Sequence, residues 1–462
     1  MMQLYWRKNL YFGLLTAFVG TACFNLVIPF LPYVLTSMEV SENLATWSGL
    51  AYAASSLTSA FMAPVWGSIA DKYGNRFQIL RSGIGIAITY ALYPVAKTPL
   101  QFVLLRGLTG FMSGYTPAAT SLISANTPED QLGYALGMLQ AANAAGTISG
   151  PLLGGAMVST LGIPFTFKLS ALVLIAISVV AYVTLKEEVV PGEKEIHVLS
   201  DIRACLANRK LLTVLICIFL MQAAIQITQP TLVLYVDKIS QDQGKTSSML
   251  SGIVYSFAGL GTVLGSTLMA KQDRRFSNES TLSDSQDSAV TDTPLTDTLL
   301  ADTLSADTPL ADTALANSSL SSTAFRKRRP TFPQLSSTQW FIIGLLGSAI
   351  SVALQGAWLS IAALSVFRMA FGFFNGMVVV SGNILTAQSV SRDFRSRAFG
   401  VLNSVLPLGS VTGPLIGGAL GDSVGLGSSF LASAGMFCLS AGVFILLEKR
   451  SGRPQSRKNL GS

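Results

Sequence analysis

Long apolar stretches separated by short polar segments make up most of this chain of 462 residues. Each stretch is about 20 residues long, the length at which an α-helix spans the hydrocarbon core of a bilayer. A backbone in lipid must satisfy its own hydrogen bonds, so these stretches are expected to be helical. The pattern therefore predicts an all-α membrane protein with twelve transmembrane helices. The predicted spans, numbered 1 to 12 in chain order, are 10–35, 46–68, 77–97, 99–123, 132–158, 163–185, 210–236, 247–270, 338–356, 358–386, 397–420 and 427–447.

The composition and the placement of charge support this prediction. Only 12% of the residues are charged, whereas soluble proteins carry about 25%. If the N-terminus is cytoplasmic, most of the 31 Lys and Arg residues fall in cytoplasmic segments, and this asymmetry fixes the orientation of membrane proteins. The exceptions are four outer residues, Lys97, Lys168, Lys238 and Lys245, and two within spans, Arg106 and Arg368. We therefore expect a protein of the cell (inner) membrane with both termini cytoplasmic, and no nucleic-acid partner.

An internal repeat indicates two copies of one membrane half. The sequence SGPLLGGA at 149–156 returns as TGPLIGGA at 412–419, and Arg106-x-x-x-Gly110-x-x-x-Gly114 has a counterpart at 368–376. The predicted organisation is an N-terminal half at 1–185, a cytoplasmic connector at 186–209, a C-terminal half at 210–447 and a cytoplasmic tail at 448–462. Secondary transporters place a substrate site between such repeats.

The C-terminal half contains a polar insert at about 277–325. It carries the five-residue repeats TDTPL, TDTLL, ADTLS, ADTPL and ADTAL at 291–315. Low hydrophobicity and an excess of acidic residues predict a disordered cytoplasmic segment. A segment that docks a partner protein is the alternative.

The segment GSIADKYGNR at 67–76 lies between spans 2 and 3. Gly67 permits close approach of another helix, and Gly74 marks the turn. Asp71 stands at a cytoplasmic helix end, where a carboxylate can accept hydrogen bonds from the amino end of another helix. The predicted partner is span 11, which begins near Arg397, and this contact would hold the outward-open state. An ordinary charged turn that includes Lys72 and Arg76 is the alternative.

A second motif lies in span 5, where glycines four residues apart form a groove for close helix contact. Proline in this run frees a backbone carbonyl and bends the helix. Packing alone is the alternative to a functional role. The residues concerned are Gly146, Gly150, Pro151, Gly154 and Gly155.

These two motifs resemble signatures of the major facilitator superfamily. The first is similar to G-x-L-A-D-R-x-G-R-K, with Asn75-Arg76 in place of the basic pair, and the second to the G-P-x-x-G-G of the drug:proton antiporter branch. The resemblance covers nearly the whole chain except the repeat insert. It implies a twelve-helix facilitator fold, normally a monomer, that exports amphipathic compounds in exchange for protons.

Arg106 in span 4 is a candidate for proton coupling. An arginine within the membrane is costly and is by default a functional-site hypothesis. The resemblance associates an arginine of span 4 with proton transfer, and Arg106 would then face a central cavity. The alternative is a side chain that extends to the outer headgroups. No Asp or Glu lies deep in a predicted span, so Asp71 is our first choice as proton carrier.

The resemblance also implies that spans 1, 4, 7 and 10 line the cavity. Polar side chains recur at helical spacing in spans 4 and 7. Each of them could instead form hydrogen bonds between helices. The candidates for the substrate cavity are Asn25, Thr109, Ser113, Thr116, Gln222, Gln226, Gln229, Asn375 and Asn383.

Two other functions stay open at this stage. The lack of a membrane carboxylate favours a transporter of one metabolite, such as a sugar or sugar phosphate, with or without proton coupling. The repeat insert suggests a membrane scaffold that docks a partner. The sequence contains no phosphate-binding loop, metal-ligand cluster or nucleophile–base pattern, so we expect no enzyme activity, no metal and no cofactor. The expected partners are a small-molecule substrate, protons and the lipid bilayer.

Overall fold

Helices account for nearly all of the chain that the computed structural model describes, which is residues 2–38, 40, 42–187, 208–242, 247–291, 335–391 and 394–451. Each predicted apolar stretch coincides with one helical span. The first half contains span 1 (Met2–Val27, Ile28–Phe30 and Leu31–Thr36), span 2 (Leu44–Tyr73), span 3 (Asn75–Leu92), span 4 (Pro99–Phe111 and Tyr115–Asn126), span 5 (Glu129–Leu161) and span 6 (Ile163–Thr184). The second half contains span 7 (Arg209–Ile227 and Gln229–Asp242), span 8 (Ser247–Thr291), span 9 (Ser337–Ala357), span 10 (Ile361–Gln388), span 11 (Arg395–Ser423) and span 12 (Ser428–Ser451).

The spans differ in hydropathy. Eight of them, spans 1 and 6 to 12, are long and apolar enough to cross a membrane by length and composition. Span 4 is divided into helices of 13 and 12 residues, each too short to cross alone. Span 3 begins with polar and charged residues, and in spans 2 and 5 Gly, Ser and Thr occupy many positions. Small residues of this kind are typical of membrane helices that pack closely against one another.

Each half has its own apolar core. In the first half, Tyr90, Tyr93 and Phe102 are buried within a cluster drawn mainly from spans 1 to 4 and 6. In the second half, Phe341 and Phe437 belong to a separate cluster drawn from spans 7 to 12. The sequence repeat thus corresponds to two separately packed groups of helices.

The long helix Ser247–Thr291 extends into the predicted polar insert, so residues 277–291 of that insert are helical. The rest of that insert, most of the connector at 186–209 and the end of the tail lie outside the described residues, and the organisation predicted for them stays a prediction.

Candidate functional site

The two halves meet along two seams, and the first joins spans 5 and 8. A β-carbon added at Gly155 would lie 2.8 Å from the carbonyl oxygen of Ser248. One added at Gly252 would collide with the carbonyl oxygen of Pro151 and lie 3.2 Å from the Cα of Gly155. The backbones of the two helices therefore touch directly at these glycines.

The second seam joins spans 11 and 2 and repeats the same contacts. A β-carbon at Gly49 would collide with the carbonyl oxygen of Pro414 and lie 3.4 Å from the Cα of Gly418. A β-carbon at Gly418 would in turn lie 3.0 Å from the Cα of Thr46. The duplicated Gly-Pro-x-x-Gly-Gly motif thus builds both seams between the halves.

The remaining glycines of the motif pack span 5 against span 1 within the first half. β-Carbons at Gly146, Gly150 and Gly154 would lie 2.7, 2.6 and 2.5 Å from carbonyl oxygens of span 1. The glycine motif of span 5 therefore has two faces. One face packs within its own half, and the other contacts the second half through Gly155 and Pro151.

Both seams close the same end of the bundle. They involve the amino ends of spans 2 and 8 and the carboxyl ends of spans 5 and 11. At the other end, β-carbons added at Gly67, Gly133, Gly137 and Gly400 would meet no described atom within 4 Å. This open end carries the chain termini, since Asn9 near the start of span 1 donates to the carbonyl oxygen of Lys186, just after span 6 (2.9 Å). We call it the termini face and the closed end the opposite face.

A cavity of about 500 Å³ lies among spans 1 to 4. Gly67 and Asp71 are at the termini face, and Arg106 lies deeper. Further lining residues are Phe24, Trp66, Tyr90, Thr109, Ser113 and Thr116. The structure therefore brings together the candidates from spans 2 and 4.

Arg106 is buried, with 5% of its surface exposed. One terminal nitrogen lies 3.3 Å from the hydroxyl of Tyr93, and that hydroxyl also bonds to Thr109. Its guanidinium carbon is 5.9 Å from the centre of the Tyr52 ring. The Nε atom has no hydrogen-bond partner among the described residues. Arg106 therefore faces the cavity with part of its hydrogen-bonding capacity unused.

Span 4 is broken beside the cavity. The helix ends at Phe111 and restarts at Tyr115, and Gly114 has a φ of 113°. Residues with a side chain rarely adopt this conformation. The apolar pattern predicts one continuous helix at 99–123, and the break corrects that prediction. Discontinuous helices are common at the binding sites of secondary transporters.

Two side chains bind the carbonyl groups that the break leaves free. Trp66 Nε1 donates to the carbonyl oxygen of Phe111 (2.6 Å). Arg81 donates to the carbonyl oxygens of Ser113 (2.6 Å) and Met112 (3.4 Å). The Arg81 guanidinium also stacks on the Trp66 ring, with its carbon 3.4 Å from the ring centre. Assigning Lys and Arg residues to the two sides of the membrane places Arg81 with the loop after span 2. Its position inside the apolar stretch 77–97 could have identified it as an arginine within a span.

Replacing Arg81 by methionine is expected to destabilise the protein. The carbonyl groups of Met112 and Ser113 lose a charged donor, and hydrogen bonds to charged groups contribute about 1.5–3 kcal/mol each. The free energy of unfolding of the purified protein measures this loss. Lys97→Met removes an exposed cation from the opposite face and should leave stability unchanged. Equal stability of Arg81→Met and Lys97→Met would contradict the assignment.

The rest of the 67–76 segment is bonded within the first half. Glu187 accepts from the backbone N–H of Asn75 and of Arg76, both at 2.8 Å. The Arg76 guanidinium donates to the carbonyl oxygen of Tyr182, and Lys72 lies over the Tyr73 ring.

Gly74 takes a φ of 92° in the tight turn between spans 2 and 3. Asp71 is exposed and has no hydrogen bond to any described residue. Among the described residues the structure shows no hydrogen bond between Asp71 and span 11, and the contact predicted for the outward-open state stays a prediction.

The other cavity candidates do not line the described cavity, and most have different contacts. Asn25 Nδ2 donates to the carbonyl oxygen of Thr21 (2.9 Å). Gln222 Nε2 donates to Ser410 Oγ (2.9 Å), and Gln229 Oε1 accepts from the Tyr255 hydroxyl (3.1 Å). Asn25 therefore bonds to the backbone of its own helix, whereas Gln222 and Gln229 each link span 7 to a neighbouring span.

The last three candidates lie in spans 7 and 10. The Cβ of Gln226 lies against Gly413 of span 11. The Oδ1 atom of Asn375 is buried with no partner among the described residues, and Asn383 is exposed. A role of these residues in substrate binding stays a prediction.

Comparison with known proteins agrees with this architecture. The sequence profile of the Major Facilitator Superfamily matches residues 13–283 and 335–461, which leaves out the repeats. The chain is 28% identical over 442 residues to the multidrug resistance protein MdtG of Citrobacter koseri, with 94% of each chain covered. It is 27% identical over 440 residues to MdtG of Escherichia coli O1:K1 / APEC, with 94% of this chain and 93% of that protein covered.

Among solved structures, the nucleoside transporter NupG superposes with a TM-score of 0.68 at 16% sequence identity. The alignment covers 96% of this chain and 99% of NupG. At this identity the similarity shows the fold alone, and it confirms the predicted twelve-helix fold in two halves.

Proposed function

The chain belongs to the major facilitator superfamily, and on that premise we propose that it exports small amphipathic compounds by alternating access, in exchange for protons. It is a multi-pass membrane transporter of small molecules and not an enzyme. The names of its relatives support multidrug efflux as the specific activity. Their moderate identity makes the substrate and the coupling the parts that experiments must test.

The observation that carries this proposal is a pair of helical halves in contact at the opposite face, with a cavity among spans 1 to 4 that extends to Gly67 and Asp71 at the termini face. The cavity lining combines aromatic rings, such as Phe24, Trp66 and Tyr90, with hydroxyl groups. Pockets of this composition bind amphipathic compounds through apolar contact and a few polar groups. Because the described contacts between the halves lie at the glycine seams of one face, rocking of one half against the other would open the cavity to the other side.

We further propose that the termini face is cytoplasmic, in the cell (inner) membrane. The excess of Lys and Arg in the segments at that face supports this orientation. The described state is then open to the cytoplasm, where an exporter takes up its substrate.

Asp71 is the proposed site of proton coupling. Among the described residues that line the cavity, it is the one carboxylate, and it is exposed at the open face. A carboxylate that bonds to span 11 in one state and to water in the other would couple its protonation to the conformational equilibrium.

Transport in membrane vesicles tests the proposal. With a panel of cationic, neutral and anionic amphipathic compounds, the expressed protein should produce substrate-dependent proton movement, and an uncoupler should stop accumulation. Transport that an uncoupler does not change would refute the antiport mechanism while leaving the transporter assignment in place.

Asp71→Asn should reduce substrate-dependent proton movement at least tenfold, because the amide cannot carry a titrating proton. The matched control is Asp237→Asn, at the end of span 7 on the opposite face, which should retain coupling. Membrane insertion is checked for both by the yield of folded protein. Full coupling in Asp71→Asn would remove Asp71 as the carrier.

One observation favours a second candidate function, the transport of an anionic metabolite such as a sugar phosphate. Arg106 is the one cation among the described residues that line the cavity, and none of the described residues forms a hydrogen bond with its Nε atom. An arginine in this situation matches a phosphate or carboxylate group. Competition by phosphorylated sugars, and not by amphipathic drugs, in the same vesicle assay would select this alternative.

A further inference from the structure

Asp422 at the end of span 11 binds the amino end of span 2, in the other half of the protein. Its two carboxylate oxygens accept from the backbone N–H of Ala45 (3.1 Å) and of Thr46 (2.7 Å). The helix begins at Leu44, and Asn43 at its N-cap position makes no side-chain cap hydrogen bond. Asp422 therefore supplies the cap that span 2 does not supply for itself. A carboxylate at a helix amino end forms charge-assisted hydrogen bonds and interacts favourably with the helix dipole.

This cap belongs to the closed state of the opposite face. Gly418 lies one helical turn before Asp422 and forms the seam with span 2. Opening of this face separates the two helices, so the hydrogen bonds of Asp422 to Ala45 and Thr46 must break. The cap is consequently a contribution to the stability of the described state relative to the state open at the opposite face.

At the other ends of the same two helices the roles are reversed: span 2 carries the carboxylate, Asp71, and span 11 presents its amino end. Asp71 lies in the last turn of span 2, four residues after Gly67, as Asp422 lies four residues after Gly418. Span 11 begins at Arg395 with Phe394 at its N-cap position, where an aromatic ring offers no hydrogen-bond acceptor to the helix amides. In the described state this end is open, and Asp71 is exposed.

Among the described residues, the seam between spans 5 and 8 has no equivalent of this cap at the matching position of span 5. In span 5, the position equivalent to Asp422 is Ser159, eight residues after Pro151 as Asp422 is eight residues after Pro414. The Ser159 hydroxyl donates to the carbonyl oxygen of Ala156 in its own helix (2.9 Å). Ser159 thus provides a matched position without a cap across the seam.

We infer that Asp422 is a positioning residue of the transport cycle and the counterpart of Asp71. Asp422 caps span 2 when the opposite face is closed, and Asp71 caps span 11 when the termini face is closed. Each half-cycle exchanges one carboxylate–helix contact for the other, so the difference between the two contacts sets the equilibrium between the states. The inference rests on alternating access as proposed above, and not on the identity of the substrate or on proton coupling.

Distance measurements between spin labels test this inference. In a chain whose four cysteines are replaced by serine, labels at Lys97→Cys and Leu359→Cys report the opposite face, and labels at Tyr73→Cys and Ser391→Cys report the termini face. Asp422→Asn should raise the ratio of opposite-face-open to opposite-face-closed protein about tenfold. Asp71→Asn should lower this ratio, and the double variant should return it toward that of the unsubstituted protein.

Ser159→Ala is the control and should leave the ratio unchanged. A merely structural cap on span 2 would lower thermal stability without moving the ratio, and that result would overturn the inference. A shift of the ratio in the same direction for Asp422→Asn and Asp71→Asn would overturn it as well. Because the readout needs neither drug nor proton gradient, failure of the drug:proton proposal would leave this test intact.

Discussion

Replacing Arg106 by glutamine should reduce transport at least a hundredfold while the protein still folds and inserts. Arg106 is buried, lines the cavity and has an unused Nε donor. Glutamine keeps polarity and part of the length but loses the charge and the planar fork of donors. Arg106→Lys should fail almost as completely, since an ammonium group cannot reproduce that fork. Initial rates of uptake into everted vesicles, normalised to folded protein, provide the measurement.

Arg368 provides the matched control for this prediction. It is the repeat counterpart of Arg106 and is equally buried, with 2% of its surface exposed. It donates to Gln355 Oε1 (3.3 Å), and its Nε atom, like that of Arg106, has no hydrogen-bond partner among the described residues. Unlike Arg106, it is not among the residues that line the described cavity. Arg368→Gln should therefore affect stability about as much as Arg106→Gln and transport far less. Equal loss of transport in the two variants would contradict the assignment of the site to the first half.

Gly252→Val should stop transport by preventing closure of the opposite face. Any β-carbon at Gly252 would meet the carbonyl oxygen of Pro151, and the main chain of span 5 cannot move aside as a flexible side chain would. Overpacking costs about 1–3 kcal/mol, which corresponds to a shift of roughly 5- to 150-fold between the two states. The protein should then accumulate in the state open at the opposite face, as measured with the labels at residues 97 and 359.

Gly435→Val in span 12 is the control for this variant. Gly435 is exposed, and a β-carbon there would meet no described atom within 4 Å. The same change of residue should leave transport and the label distances unaltered. If Gly252→Val also kept the closed distance distribution, the seam could not be the contact that excludes the other state.

The sequence predicted the twelve spans because hydrocarbon thickness imposes a length on every apolar stretch. The internal repeat likewise indicated the two halves. Neither pattern could predict the break in span 4, since Gly110 and Gly114 read equally well as glycines that allow close helix packing. In the structure Gly110 does allow such packing, against the carbonyl oxygen of Ser55, whereas Gly114 has a left-handed conformation.

The composition of the site was predictable only in part. Thr109, Ser113 and Thr116 line the cavity, but Gln222, with the same polarity and helical spacing, bonds to Ser410 in a neighbouring span. Polar spacing within one helix cannot distinguish a cavity from a contact between helices, because both require hydrogen-bonding groups inside the membrane. The cap that Asp422 forms was also not predictable from the sequence, since the residues it binds lie more than 370 positions away.

The paired seams have a consequence for the origin of this chain. Gly49 of the first half meets Pro414 of the second, and Gly252 of the second half meets Pro151 of the first. The same pair of positions therefore forms both contacts, with the two halves exchanged. This reciprocity defines the isologous interface of a twofold symmetric dimer. A single six-helix ancestor could have formed both contacts by self-association before gene fusion, and fusion then allowed Asp422 and Ser159 to diverge at what had been one position.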